Sequence, residues 1–211
     1  MVEITVDSES RAAHTCFSIA TNCQGLAHQA QASEEWQIKH HCITGVIFVA
    51  FSIEAMINHF GKVMFKDEWE KKKKCRKEQH KMLFEAVNLP NYLGTRNYQV
   101  AKECFKIRDS FAHGKTNDET LELTVSGDIS HKERVRQVVD LSTSMESLAT
   151  IENLDKYIEI AQKIEEDIQE HGYYRDQDHI PEEERKKLLE CPLSNMGIRS
   201  FCEQYGGQKL L

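Results

Sequence analysis

Arg108-Asp109-Ser110-Phe111-Ala112-His113 brings a guanidinium, a carboxylate, a hydroxyl and an imidazole within six residues, and Lys115 follows two positions later. The set is suited to cleaving RNA. Because RNA supplies its own nucleophile, a catalyst needs only to deprotonate the 2′-hydroxyl, neutralise the in-line phosphorane and protonate the departing 5′-oxygen, which requires neither metal nor cofactor. An imidazole titrates near neutrality, and the negative end of a helix favours its protonated form, so His113 is the expected proton-transfer group. Arg108 is the expected phosphate clamp, since a guanidinium keeps its charge and offers a planar fork of donors to the non-bridging oxygens. Asp109 is expected to orient or hydrogen-bond rather than react, because an unpaired carboxylate beside a phosphate would repel it. Ser110 and Lys115 are the expected RNA contacts, the lysine through a phosphate.

These groups need a helix to hold them. Thr95 is the expected N-cap of one that closes at Gly114, a residue type that takes the left-handed conformation cheaply. Five helical steps separate Arg108 from His113 by about 140° around the axis and about 7.5 Å along it, so they do not share a face. One helix therefore makes half a site, and a two-fold axis pairing two such helices would gather both residues of each copy around one phosphate.

Other helices follow from apolar spacing. Ala12, Cys16, Ile19, Cys23, Leu26 and Ala30 recur at intervals of three and four, which predicts a first helix with that stripe inward. Ser33 as N-cap and Gly61 as stop predict a second, over 34 to 60. Its stretch from Cys42 to Ile53 carries no charge, yet about twelve residues is short of a membrane span and Glu54 follows at once, which fits a core helix. A basic third helix is predicted over 67 to 87, ended by Leu89-Pro90-Asn91, and a last core helix over 151 to 171 from Leu154, Tyr157, Ala161, Ile164 and Ile168. Between 116 and 150, Leu121, Leu123 and Val125 alternate as in a strand and Val135 to Leu141 could pair back, which suggests a small β-hairpin insertion. After 171, Pro181 starts a short helix that Pro192 ends. The expected organisation is an all-α domain over 1–171 with an acidic helical appendage over 172–211.

Charge placement matters more than its total. The net charge of -7 argues against a nucleic-acid partner until it is located, and residues 150 to 190, with thirteen acidic and six basic side chains, account for all of it. Lys66 to Lys81 carries eight basic against four acidic groups, and Arg96 to Lys115 five against two, so positive surface is available for phosphates. Seven cysteines without a CxxC pair, and an N-terminus without a leader pattern, read as reduced thiols in a cytoplasmic protein.

The motif and its setting resemble the HEPN superfamily, which is identified by an arginine, a polar residue, three variable positions and a histidine near a helix end. Nine arginines and ten histidines would give an Arg-x4-His match by chance about 0.4 times. Position therefore carries the resemblance: the match ends a capped helix, in a basic stretch, after the apolar helix reading FSIEAMIN. The layout is similar over roughly residues 10 to 171. The resemblance implies a bundle of four to five helices, metal-independent endoribonuclease activity and a homodimer with a composite site. It also implies a toxin or anti-phage role, with an antitoxin or other regulatory protein as a partner. Members controlled by nucleotidylation often carry a tyrosine two positions after the histidine; Lys115 stands there instead, which argues against that control.

Several residues outside the motif invite a role. Glu54 follows twelve uncharged residues and either pairs with Arg108 or simply reaches the helix surface; the second reading is preferred, and Asn58, one turn later, is weighed the same way as a substrate contact. His40, His41 and His59 lack ligand spacing and are read as core or surface histidines. Lys71 to Lys74 is read as a solvated face, while Trp69, Tyr173 and Tyr174 are weaker candidates for base stacking. The competing class is a non-catalytic module that uses the same groove to bind RNA, a nucleotide or a protein.

Overall fold

The computed structural model describes residues 12–33, 37–71, 75–113, 130–131, 134, 146–177 and 179–194. Six α-helices hold them: α1 (Ala12–Ala32), α2 (Ile38–Phe65), α3 (Asp67–Lys71), α4 (Arg76–Ala86), α5 (Arg96–Ala112) and α6 (Ile151–His171). The fold is all-α, and among the described residues the extended structure amounts to one isolated bridge, Tyr173 to Lys187. The hairpin expected from Leu121 to Leu141 lies outside the described residues.

α2 is the centre of the bundle, with α1, α5 and α6 packed on it. By length and composition alone it could cross a membrane, but half of its most apolar window is buried inside the bundle. Val46, Val49, Ala50, Ile53, Met56, Ile57 and Phe60 are sealed from solvent along it, and burying each large side chain of this kind contributes about 1.5–3 kcal/mol. α1 buries Cys23 and Ala30 of its predicted stripe, but elsewhere the neighbouring position turns inward. Ala13, Phe17, Ala20, Cys23, Ala27 and Ala30 are buried, while Leu26 remains 46% exposed. The alanine-rich face lets α1 approach α2 more closely than leucine would.

Local capping fixes α5 and α6. The Thr95 hydroxyl accepts from the Tyr98 N–H at 3.4 Å, and that of Thr150 from the Asn153 N–H at 3.2 Å, each satisfying one donor of a first turn. The α2 boundaries depart from expectation at both ends. Ser33 does not cap α2; its hydroxyl donates back to the Gln29 carbonyl at the end of α1. Gly61 does not stop α2 either, because it forms a notch: a Cβ there would lie 2.2 Å from the Trp69 indole. Trp69 fills that notch, 4% exposed and stacked on Phe65, which removes it as a platform for a base. The expected third helix is two, α3 and α4, and the second has its own capping box, with the Cys75 N–H donating to Glu78 at 3.3 Å.

The chain beyond α6 lies against the bundle as far as residue 194. Leu188 and Leu193 join the core, and Gly172 admits Leu188, whose Cδ1 would stand 2.5 Å from an added Cβ. Backbone pairing of Leu188 with Gly172 at 3.0 Å competes with helix formation here, so the helix expected after Pro181 is a single 3-10 turn, Glu182–Glu184. Tyr173, another stacking candidate, has its ring capped by Lys187 at 4.4 Å.

Candidate functional site

The last turns of α5 face the first turn of α4 and the middle of α2. Here four side chains of alternating charge close into a ring. Arg108 donates from Nη2 to Glu54 Oε1 at 2.6 Å, and the Arg76 Nε lies 2.5 Å from the same oxygen. On the other side Arg76 makes a bidentate pair with Asp109, Nη1 to Oδ2 at 2.9 Å and Nη2 to Oδ1 at 3.0 Å. The Arg108 Nε is 2.9 Å from Asp109 Oδ1 and completes the circuit by charge. Its N–H is not aimed at that oxygen, however, and stays buried without a hydrogen-bond acceptor among the described residues.

Aromatic rings brace both guanidiniums. Arg108 lies 5.0 Å from the centre of Phe51, which is itself 36% exposed, and Arg76 lies 5.2 Å from Phe105. Arg108 as a whole is 8% exposed. An arginine is suited to this setting, since its flat cation stacks on a ring while its edge meets two carboxylates. The Arg76 hydrogen bonds hold the Asp109 carboxyl below its ordinary range, aided by the charges of Arg108 and His113, and the same bonds raise the Arg76 guanidinium.

Behind the ring, one turn after Arg76 on α4, His80 is buried and bonded through Nδ1 to the Tyr98 hydroxyl at 2.9 Å. Burial, with the Arg76 charge second, drives its imidazole down to about 3. Cys104, one turn before Arg108, donates its thiol to the Val46 carbonyl at 3.2 Å, and burial pushes that thiol well up. It is a packing residue rather than a nucleophile.

Each expected site residue has a distinct place. Glu54 and Arg108 are brought together, so the paired alternative for Glu54 is the one the structure adopts and the helix-surface preference is corrected. A lone carboxylate in the α2 groove would be costly, and two guanidiniums within reach make pairing the lower-energy outcome. Asp109 joins the same ring and is therefore a paired carboxylate. Ser110 is half-buried on the following position of α5. His113 stands apart, exposed at the C-cap of α5 with its backbone N–H on the Asp109 carbonyl at 3.1 Å. Lys115 lies outside the described residues. Asn58 is not in the ring: its Oδ1 accepts from the Trp69 indole N–H at 3.2 Å, and it lines a separate cleft.

Arg76 is the functional candidate that sequence reasoning passed over. It sits among lysines in the basic stretch, and its type was the available signal, since only arginine presents a fork to a carboxylate. His59, read as core or surface, is paired with Glu190 at 3.2 Å. Comparison of the chain with protein-family models, with curated proteins and with solved structures finds no match.

Proposed function

We propose that this chain is a metal-independent endoribonuclease of the HEPN type, in which Arg108 binds the scissile phosphate and His113 transfers the proton. The observation that carries the reading is the end of α5, where Arg108 is fixed by Glu54 and Phe51 while His113 is exposed five residues further on. That arrangement supports a preorganised phosphate clamp beside an imidazole free to meet substrate. The Arg108 Nε–H, buried without an acceptor, is a donor that a phosphate oxygen could satisfy after a small shift of Asp109. Arg76 would restrain Asp109 from repelling the phosphate, which gives it a positioning role. Two copies related by a two-fold axis would unite the halves, and a toxin or anti-phage effector is the biological role proposed for the dimer.

A second reading has its own support. The four ring charges cancel, so Arg108 offers little net attraction to an anion as it stands, which favours a module that binds RNA or a protein without turnover. The discriminating experiment incubates purified protein with labelled single-stranded RNA in EDTA and analyses the product ends. The nuclease reading expects 2′,3′-cyclic phosphate termini that vanish with His113→Ala. Folded protein that retains RNA without cutting it across varied sequences would support the binding module instead.

A further inference from the structure

A cleft of about 540 Å³ is lined in part by Asn58 of α2 and Gln79 of α4. These residues link it to the charged ring: Gln79 lies three positions after Arg76 on α4, and Asn58 four after Glu54 on α2, so each is the next group along the same helix face. One helical turn is about 5.4 Å.

The lining of this cleft is specific in its chemistry. Ala12, Ala13, Ala55 and Pro192 provide small apolar surface against which a flat ring can lie. Asn58 has its oxygen committed to Trp69, which leaves the amide N–H2 as a donor on an exposed residue. Gln79 makes no side-chain hydrogen bond to any described residue, so a donor and an acceptor stand side by side on the wall. Of the ionisable groups that line it, Lys62 pairs with Glu70 at 3.5 Å, and His59 lies 3.2 Å from Glu190. A neutral, flat ligand with adjacent donor and acceptor fits such a wall better than a phosphate does.

We propose that this cleft is a nucleobase subsite of the α5 site, selective for adenine, with Gln79 as the reading residue. A glutamine amide matches the N6 donor and N7 acceptor of adenine, and single-stranded RNA is read through the edges of its unstacked bases. The assignment rests on the ribonuclease reading for its place beside a scissile phosphate. The cleft's affinity for a nucleotide is independent of cleavage.

Trp69 lines the cleft and reports on it. The chain has two tryptophans, so Trp36→Phe leaves Trp69 as the only indole signal. Fluorescence of this variant is titrated with AMP, GMP, CMP and UMP. A saturable change is expected, strongest for AMP, with dissociation constants raised about tenfold or more by Gln79→Leu and by the isosteric Gln79→Glu. Circular dichroism of each variant confirms that the helices persist. No saturable response, an equal response to all four nucleotides, or a response that survives both Gln79 variants overturns the proposal. If AMP binds as expected while RNA is never cut, the nuclease reading fails and the adenine site stands; cleavage without AMP binding removes the subsite alone.

Discussion

Arg108 and His113 belong to one six-residue motif and occupy opposite physical settings. Arg108 is almost entirely enclosed, held by Glu54, Asp109 and the Phe51 ring, whereas His113 sits in the open at the helix end. The enclosed half has its orientation fixed before any ligand arrives, and loses stability if any member is removed. The open half contributes little to the fold and is available for chemistry. Spacing in a sequence therefore says that two groups are near each other, and only packing says which one is structural.

The strongest way to break this contrast is to remove Arg108. Arg108→Ala strands Glu54 with Arg76 as its remaining partner and opens space against Phe51, and is expected to cost about 2–3 kcal/mol, below the value for a fully buried pair because Glu54 keeps one cation and some solvent. Urea unfolding with an unchanged m-value would report it. If Arg108 acts only as an exposed helix residue, the change stays within about 0.5 kcal/mol.

His80, behind the ring, extends the comparison to pH. His80 is 3% exposed and its folded pKa is driven down to about 3, well under the unfolded imidazole near 6.5. The unfolded chain then binds more protons between those values, so stability contributed by neutral His80 is fully present above about pH 6.5 and is lost as pH falls toward 3. The slope from this one group is at most about 1.4 kcal/mol per pH unit. His80→Gln should flatten the fall in urea midpoint over that window. A slope unchanged by His80→Gln would place the acid sensitivity elsewhere.

What could be read from the sequence was the part decided locally. Thr95 begins α5 because a threonine oxygen caps the turn that follows it, whatever lies further away. The misread boundaries were decided across space. Gly61 resembles a helix stop, but Trp69 eight residues later needs the room its missing side chain leaves. α1 carries two overlapping apolar stripes, and only the close approach of α2 selects the alanine face. The candidate site divides in the same way. Arg108 and His113 were legible as a motif, whereas the ring needed Arg76, one of eight basic residues in its stretch, to be delivered by α4 against Asp109. No local pattern marks that meeting.

On the proposed mechanism, His113 transfers the proton on a scaffold that does not depend on it. Its most direct test pairs urea unfolding with RNA cleavage rate for His113→Ala. A midpoint within about 0.5 kcal/mol of wild type is expected together with a cleavage loss of about 10²-fold or more, the usual range for removing a general acid or base. Cleavage at an undiminished rate in a folded His113→Ala protein would contradict it.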